Sequence, residues 1–311
     1  MKVLITGAAG FLGSNLVRKF LQENHQIIGL DNLSTGNLAN LMEFENNPNF
    51  VFVEGDVRKE LDFDVEGILN FACPASPIQY QIDPVQTIET NFMGMLNVLK
   101  LGRKLNVRVL QSSTSEVYGD PTHSPQIETY WGNVNPIGIR SCYDEGKRAA
   151  ETLCFDFKRQ YGVDSRVIRI FNTYGPGMSL NDGRVVSNFV VQALQDQDLT
   201  IYGDGEQTRS FCFVSDLVDG IYRAFTVDKF PDSPINLGNP IEFTMLELAE
   251  KILSKVESKS KLNFRNLPND DPRQRKPDIR LASEFLKWEP AIDLDSGLDH
   301  TIVYFRELIR K

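Results

Sequence analysis

The stretch Lys2–Asn15, KVLITGAAGFLGSN, decides the fold. Its first five residues form an apolar run suited to a parallel strand buried on both faces. Gly7, Gly10 and Gly13 follow, and from Ser14 the chain takes up helical periodicity. Strand, glycine turn and helix in that order bring backbone N–H groups and the positive end of a helix against a pyrophosphate. Phe11 and Leu12, inside the glycine turn, belong to the expected cofactor contacts. A second strand, Gln26–Leu30, ends at Asp31, about 20 residues beyond Gly10. A carboxylate there accepts hydrogen bonds from the adenosine ribose hydroxyls and repels a 2′-phosphate. The expected cofactor is therefore NAD rather than NADP.

Outward from this unit the alternation continues. Phe50–Glu54 reads as a third strand, with Asp56 and Val57 after it as the expected contacts to the adenine edge. Gly67–Ala72 is a fourth strand, running into the turn-rich Cys73–Pro77; a long helical stretch, Pro84–Asn106, returns to a fifth, Arg108–Ser112. This pattern predicts an α/β fold: a doubly wound parallel sheet of the Rossmann type. Ligands of such sheets sit beyond the carboxyl ends of the strands, so Ser113, Thr114, Ser115 and Glu116 are expected to point into the site. Residues 118–140 are rich in Pro, Gly, Asn and Ser and lack a clear period. They are long for a passive connection and read as a loop over the site.

Arg140–Glu151, RSCYDEGKRAAE, comes next. On a helix, Tyr143 and Lys147 lie on one face, one turn apart. A phenol with a pKa of about 10 is a poor base. A neighbouring ammonium is expected to lower that pKa, so that the phenolate takes a proton from a sugar hydroxyl. Such a pair arises by chance in roughly one of two chains this long. Its place between a dinucleotide signature and an anion-binding half is what carries weight.

Ser165–Ile170 reads as another buried strand, after which the alternation loosens. A helix is expected over Arg184–Leu194 and short strands over Thr200–Tyr202 and Arg209–Phe213. Ser215 is the expected cap of a helix over Asp216–Phe225. Pro234–Leu237 is a strand, Thr244 caps a helix over Met245–Val256, and a last helix runs to the C-terminus. Pro268–Arg280 reads as a loop carrying Arg273, Arg275, Lys276 and Arg280. Arg184, Arg209 and Arg275 are the local positive charge that a nucleotide diphosphate needs, since a guanidinium fork binds two oxygens at once. Residues 1–173 are expected to form the NAD-binding domain, its sheet completed by about 212–237. Residues 174–311 are expected to form mainly a smaller, interleaved substrate lobe.

The 311 residues are 41% hydrophobic and 24% charged with a net charge of −9, an ordinary globular composition without a basic tract for nucleic acid. Cys73, Cys142, Cys154 and Cys212 are scattered and read as reduced, mostly buried thiols of a cytoplasmic protein. His25, His123 and His300 have no metal-ligand spacing, read as surface or capping residues, and predict no metal. No leader precedes Lys2, and no apolar run approaches the roughly 20 residues of a membrane span.

These residues together resemble the extended short-chain dehydrogenase/reductases. STSEVYGDP (113–121), YWGNVNPIG (130–138), SCYDEGKR (141–148), FNTYGP (171–176), NDGRVVSNF (181–189) and RKPDI (275–279) are similar, more narrowly, to UDP-glucuronate decarboxylases, which make UDP-xylose. The resemblance implies that Thr114 holds the C4 hydroxyl, Tyr143 is the base, and Lys147 binds the nicotinamide ribose. Ser115 and Glu116 match the pair that separates decarboxylases from 4,6-dehydratases, which carry Asp-Glu. Arg275 would bind near the diphosphate or sugar carboxylate, on the opposite side of the sugar from Glu116. Asn32, Ser34, Thr35, Gly36, Phe71, Cys73 and Thr90 complete the implied NAD contacts. Asn97, Asn172, Arg184, Val186, Tyr202, Gln207 and Arg209 complete those to the UDP-sugar. Relatives pair through two helices, which implies a homodimer through parts of 84–106 and 141–160. Glu89 departs from the pattern: these decarboxylases usually carry lysine there, near the substrate. That keeps a dehydratase or epimerase as the alternative enzyme, and a non-catalytic NAD-binding regulator as the alternative from another class.

Overall fold

The computed structural model describes residues 1–266 and 274–310, so Arg273 lies outside the described residues. β1 (Lys2–Thr6), β2 (Gln26–Asp31), β3 (Phe50–Glu54), β4 (Gly67–Asn70), β5 (Arg108–Thr114) and β6 (Ser165–Ile170) line up in parallel in the order 3-2-1-4-5-6. The order reverses between β1 and β4, which is where a doubly wound sheet opens a crevice. Every residue of β4, and all of β1 but its first, is buried. That is why these strands read as continuous apolar runs.

α1 (Phe11–Gln22) covers one face of the sheet. Leu16, Val17 and Phe20 of α1 share a core there with Val3, Ile5 and Phe225. The opposite face is covered by the 84–105 helix and the 141–161 helix, where Val98, Leu99, Ala150 and Cys154 pack on Leu4, Ile68 and Val167. The expected single helix over Pro84–Asn106 is a segmented one. A short α2 (Pro77–Tyr80) precedes it; then come α3 (Pro84–Glu89), a π-turn over Thr90–Gly94, and α4 (Met95–Leu105). A π-turn widens a helix locally and recurs at functional sites; this one faces the cofactor crevice through Thr90. α5 (Ser141–Tyr161) carries Tyr143 and Lys147 as expected.

The second half follows the expected elements with several corrections. β7 (Thr173–Tyr174), α6 (Val185–Leu194), β8 (Leu199–Tyr202), β9 (Thr208–Ser210) and β10 (Cys212–Phe213) come first. α7 (Val214–Thr226) begins two residues earlier than expected, so Ser215 lies inside the helix and Phe213 is the residue at its N-cap. β10 pairs with β7 outside the main sheet; only β11 (Ile235–Leu237) joins it, beside β6. β12 (Glu242–Thr244) pairs with β9, and Thr244 caps α8 (Met245–Val256) in a box with Glu247, as the sequence signature indicates. β13 (Leu262–Arg265), unforeseen because its residues are mostly exposed, pairs with β8. α9 (Arg280–Leu286) and α10 (Leu294–Arg310) close the chain. His25 is not a surface residue: it is buried against Phe20 and Tyr222, where burial lowers its pKa.

Candidate active site

The cofactor crevice is built from backbone. Gly7 has a φ of +69°, and a Cβ there would stand 2.6 Å from the Phe71 carbonyl oxygen. A Cβ on Gly13 would stand 1.9 Å from the Gly7 carbonyl oxygen, so α1 can approach the β1 turn only with glycine at that position. Gly7, Gly10, Asp31, Asn32, Ser34, Thr35, Gly36, Val57, Phe71, Cys73 and Thr90, all expected at the cofactor, line one crevice. Phe11 and Leu12 form the first turn of α1 above it. Asp31 accepts from the Ala9 and Leu33 amides at 2.9 and 2.8 Å. Burial pushes its carboxyl up, and these bonds oppose the shift. The glycine cradle and the carboxylate at the end of β2 fit a dinucleotide.

Asp56 lies between the crevice residues Gly55 and Val57, where Arg58 binds it at 2.7 Å and Asn32 donates to it at 3.4 Å. Arg58 also reaches Glu89, at 3.0 Å. This corrects the expectation for Glu89. It pairs with the arginine that also binds Asp56, in the loop after β3. Asn97 is corrected too: its amide donates to the Val57 and Lys59 carbonyls at 3.0 and 2.9 Å, fixing the loop after β3.

The end of β5 delivers Thr114, and α5 delivers Tyr143 and Lys147; all three are buried. The Thr114 hydroxyl stands close enough to the Tyr143 phenol to favour its phenolate. Lys147 donates to the Ser112 carbonyl at 2.8 Å, with its Nζ 5.7 Å from the centre of the Tyr143 ring. The expected lowering of the phenol pKa is not what this arrangement produces. Burial pushes Tyr143 well above the ordinary tyrosine range; Cys73, Glu116 and Tyr80 add to the shift and Thr114 opposes it. Lys147 is itself lowered by burial. Two buried groups without a counter-ion each disfavour their charged form.

Beyond Tyr143 lies a charged cluster. Glu116, in the turn Ser115–Tyr118 that carries buried Ser115, is held bidentately by Arg275. Arg140 binds the same carboxylate at 2.6 Å. Glu116 and Arg275 are therefore direct partners, and the expectation that they flank the sugar from opposite sides is corrected. Burial disfavours the Glu116 carboxylate, but Arg275 and Arg140 outweigh it and hold the group below the usual range. Asp144 is buried beside them, and burial together with Glu116 pushes it up to about 7. The Tyr80 ring stacks flat on Tyr143, with centroids 5.1 Å apart and planes 4° from parallel. The Tyr80 hydroxyl, Asp144 Oδ1 and Arg275 Nε are buried without a hydrogen-bond partner among the described residues. Three unsatisfied polar atoms around one cluster mark a place for a polar ligand. Tyr80, Arg140 and Asp144 were missed from sequence. Arg140, at the N-cap of α5, and Asp144, in its first turn, lie within one turn of Tyr143 and could have been found from that spacing; Tyr80 gives no such signal.

The residues expected at the nucleotide divide. Arg184 pairs with Asp182 at 2.6 Å and lies over the Phe11 ring, at 5.3 Å. Arg209 is buried on β9 and pairs through its backbone with Arg275. Asn172 reaches the Ser210 carbonyl at 3.4 Å, and Gln207 donates to the Tyr202 carbonyl at 2.7 Å across the turn after β8. Val186 is not brought to a surface: it is a buried core residue of α6.

Residues 3–238 match the family described as the NAD dependent epimerase/dehydratase family. UDP-glucuronic acid decarboxylase 4 of Arabidopsis thaliana is 52% identical over 309 residues, 99% of this chain and 69% of that protein. Two solved structures agree in fold. UDP-glucose 4-epimerase of Thermotoga maritima with UDP-glucose has a TM-score of 0.91 at 29% identity, covering 99% of this chain and 100% of that one. UDP-glucuronic acid 4-epimerase of Bacillus cereus, in complex with UDP-glucuronic acid and NAD, has a TM-score of 0.88 at 26% identity, with the same coverage.

Proposed function

This chain belongs to the NAD dependent epimerase/dehydratase family, and on that premise we propose that it decarboxylates UDP-glucuronate to UDP-xylose, with NAD recycled in each turnover. The observation that carries this reading is Glu116 held by two arginines beside Thr114 and Tyr143. Residues 1–173, with β11, serve as the NAD domain and the rest mainly as the nucleotide-sugar lobe. When bound, oxidised NAD supplies a hydride acceptor and a positive nicotinamide, and a positive charge beside a phenol favours the phenolate.

Tyr143 then takes the proton of the C4 hydroxyl, which Thr114 orients. A ketone at C4 makes the C6 carboxylate that of a β-keto acid. The C5–C6 bond breaks, its electron pair passes into the C4 carbonyl, and CO₂ leaves. A substrate carboxylate competes with Glu116 for Arg275 and Arg140. Freed of those arginines, a buried Glu116 rises in pKa and picks up a proton. It can then protonate C5, directly or through water held with Ser115. Tyr143 returns its proton to the C4 oxygen as that carbon is reduced.

With Glu89 bound to Arg58 beside Asp56, the departure at that position no longer argues for a dehydratase. We take the protein for a homodimer: Val85, Ile88 and Phe92 stand exposed, three or four residues apart, along the 84–94 helix. Four unpaired cysteines favour a reducing, cytoplasmic setting. Among the described residues no helix is long and apolar enough to cross a membrane. Mass analysis after incubation with UDP-glucuronate, and separately with UDP- or dTDP-glucose, tests the activity. CO₂ and UDP-xylose are expected from the first; loss of water from the glucose substrates alone would replace this reading with dehydratase.

A further inference from the structure

Arg275 owes its place to a short strap, residues 274–278, that crosses from the substrate lobe to the main sheet. On one flank Arg275 pairs through its backbone with Arg209, and its carbonyl accepts from Ser210 Oγ at 3.3 Å. On the other flank stands Gln126, from the loop over the site, at 1% exposure. The Gln126 amide donates to the Lys276 carbonyl at 2.8 Å, and the Gln126 carbonyl accepts from the Asp278 amide at 2.9 Å. Its side chain adds a third bond to the strap: Oε1 accepts from the Lys276 amide at 2.8 Å. Nε2 is occupied by the His123 carbonyl at 2.7 Å, so the side chain amide is held at both ends. Asn236 of β11 donates to the Gln126 carbonyl at 2.9 Å and to the Asp278 carbonyl at 3.2 Å, tying loop and strap to the main sheet. A glutamine in an unsupported loop would spend its bonds on water. Here one buried side chain fixes the backbone of the residue next to Arg275.

We propose that Gln126 is a positioning residue: its side chain fixes the strap so that the Arg275 guanidinium meets the carboxylate plane, first of Glu116 and then of the sugar. This rests on the decarboxylase reading and deepens it. The bidentate grip of a guanidinium depends on the direction of its stem, and misplacement by about 1 Å can cost 10²-fold in rate. The effect should fall on cleavage of the C5–C6 bond and spare oxidation at C4, which Thr114 and Tyr143 control from a different part of the fold.

The test is a single turnover of the NAD-loaded full chain with UDP-glucuronate, following NADH and CO₂ in wild type, Gln126→Met, Gln126→Glu and Arg275→Lys. In Gln126→Met, NADH should form at the wild-type rate while its decay and CO₂ release slow about tenfold, toward the Arg275→Lys pattern. Gln126→Glu keeps an oxygen for the Lys276 amide and should slow CO₂ release only about threefold, with NADH formation unchanged. Affinity for UDP alone should not change in either variant. Equal slowing of both steps in Gln126→Met, or no slowing of CO₂ release in either variant, overturns the proposal. Should Gln126→Met fail to fold, Gln126→Glu decides by the same two readouts. Wild type that releases no CO₂ overturns the decarboxylase reading itself, which keeps the two failures apart.

Discussion

The cofactor crevice and the sugar end of the site are built in opposite ways. The first is mostly backbone from one local unit: Gly7, Gly13 and Asp31 act within β1, α1 and β2, and the Asp31 carboxylate accepts from Ala9 in the same unit. The second is charge assembled from distant parts of the chain, with Glu116 after β5, Arg140 before α5 and Arg275 on the far strap. Backbone geometry tolerates little change of residue but carries little charge to titrate. An assembled cluster responds to every neighbour, which is why the expected relation of Glu116 to Arg275 had to be revised while the glycine turn stood. Paired charges in a buried site are also exchangeable, and a substrate carboxylate that binds the Arg275 or Arg140 fork takes a partner from Glu116.

The largest effect should come where the two regions meet. Tyr143→Phe should lower turnover by ~10²–10⁴-fold, as for a lost acid–base group, and no NADH should appear even transiently. NADH formation in that variant would mean that the proton leaves C4 by another route. Within the cluster, Glu116→Gln should keep NAD and UDP-glucuronate binding and lower turnover ~10²–10³-fold. Arg275→Lys should cost about 10²-fold, because an ammonium is a point charge and cannot fix the plane of a carboxylate. Rates near wild type in both would leave the cluster a structural ion pair.

On the cofactor side, Asp31→Ala should weaken NAD by about tenfold, the loss of charge-assisted hydrogen bonds, and narrow the preference over NADP. Equal wild-type affinities for the two cofactors would show that Asp31 does not read the ribose. Asp144 offers a stability test of the cluster. Its folded pKa of about 7 lies above the unfolded value, so the folded state binds more protons, and stability falls as pH rises from about 4 to about 7. Asp144→Asn should flatten that fall and raise the melting temperature by a few degrees above about pH 7. An unchanged profile would place Asp144 outside the buried charge balance. The smallest effect is expected of Glu89→Lys. Its partly exposed pair with Arg58 is worth about 0–1 kcal/mol, so NAD should weaken at most about fivefold and UDP-glucuronate should be unaffected. A marked loss of UDP-glucuronate binding would return Glu89 to the sugar end.

What was legible from sequence was what is local. The β1–α1 turn, Asp31, the Tyr143–Lys147 pair on one helix face and the Thr244 cap all depend on residues within a few turns of one another, where periodicity and backbone sterics decide. The doubly wound parallel sheet followed from the βαβ alternation, because right-handed crossovers leave few choices. The resemblance gave Ser115, Glu116 and Arg275 their roles around one sugar, which no spacing would have joined. Tertiary structure alone decided the rest. It stacked Tyr80 on Tyr143, closed Glu116 between Arg140 and Arg275, moved Glu89 to Arg58 and Asn97 to the loop after β3, and buried Val186 and His25 in the core. It also reversed the expected shift of Tyr143, since burial outweighs a lysine whose proton is directed at a backbone carbonyl. The sign of a pKa shift and the partner of a charge depend on everything within a few ångströms, and distance in space is what a linear chain does not record.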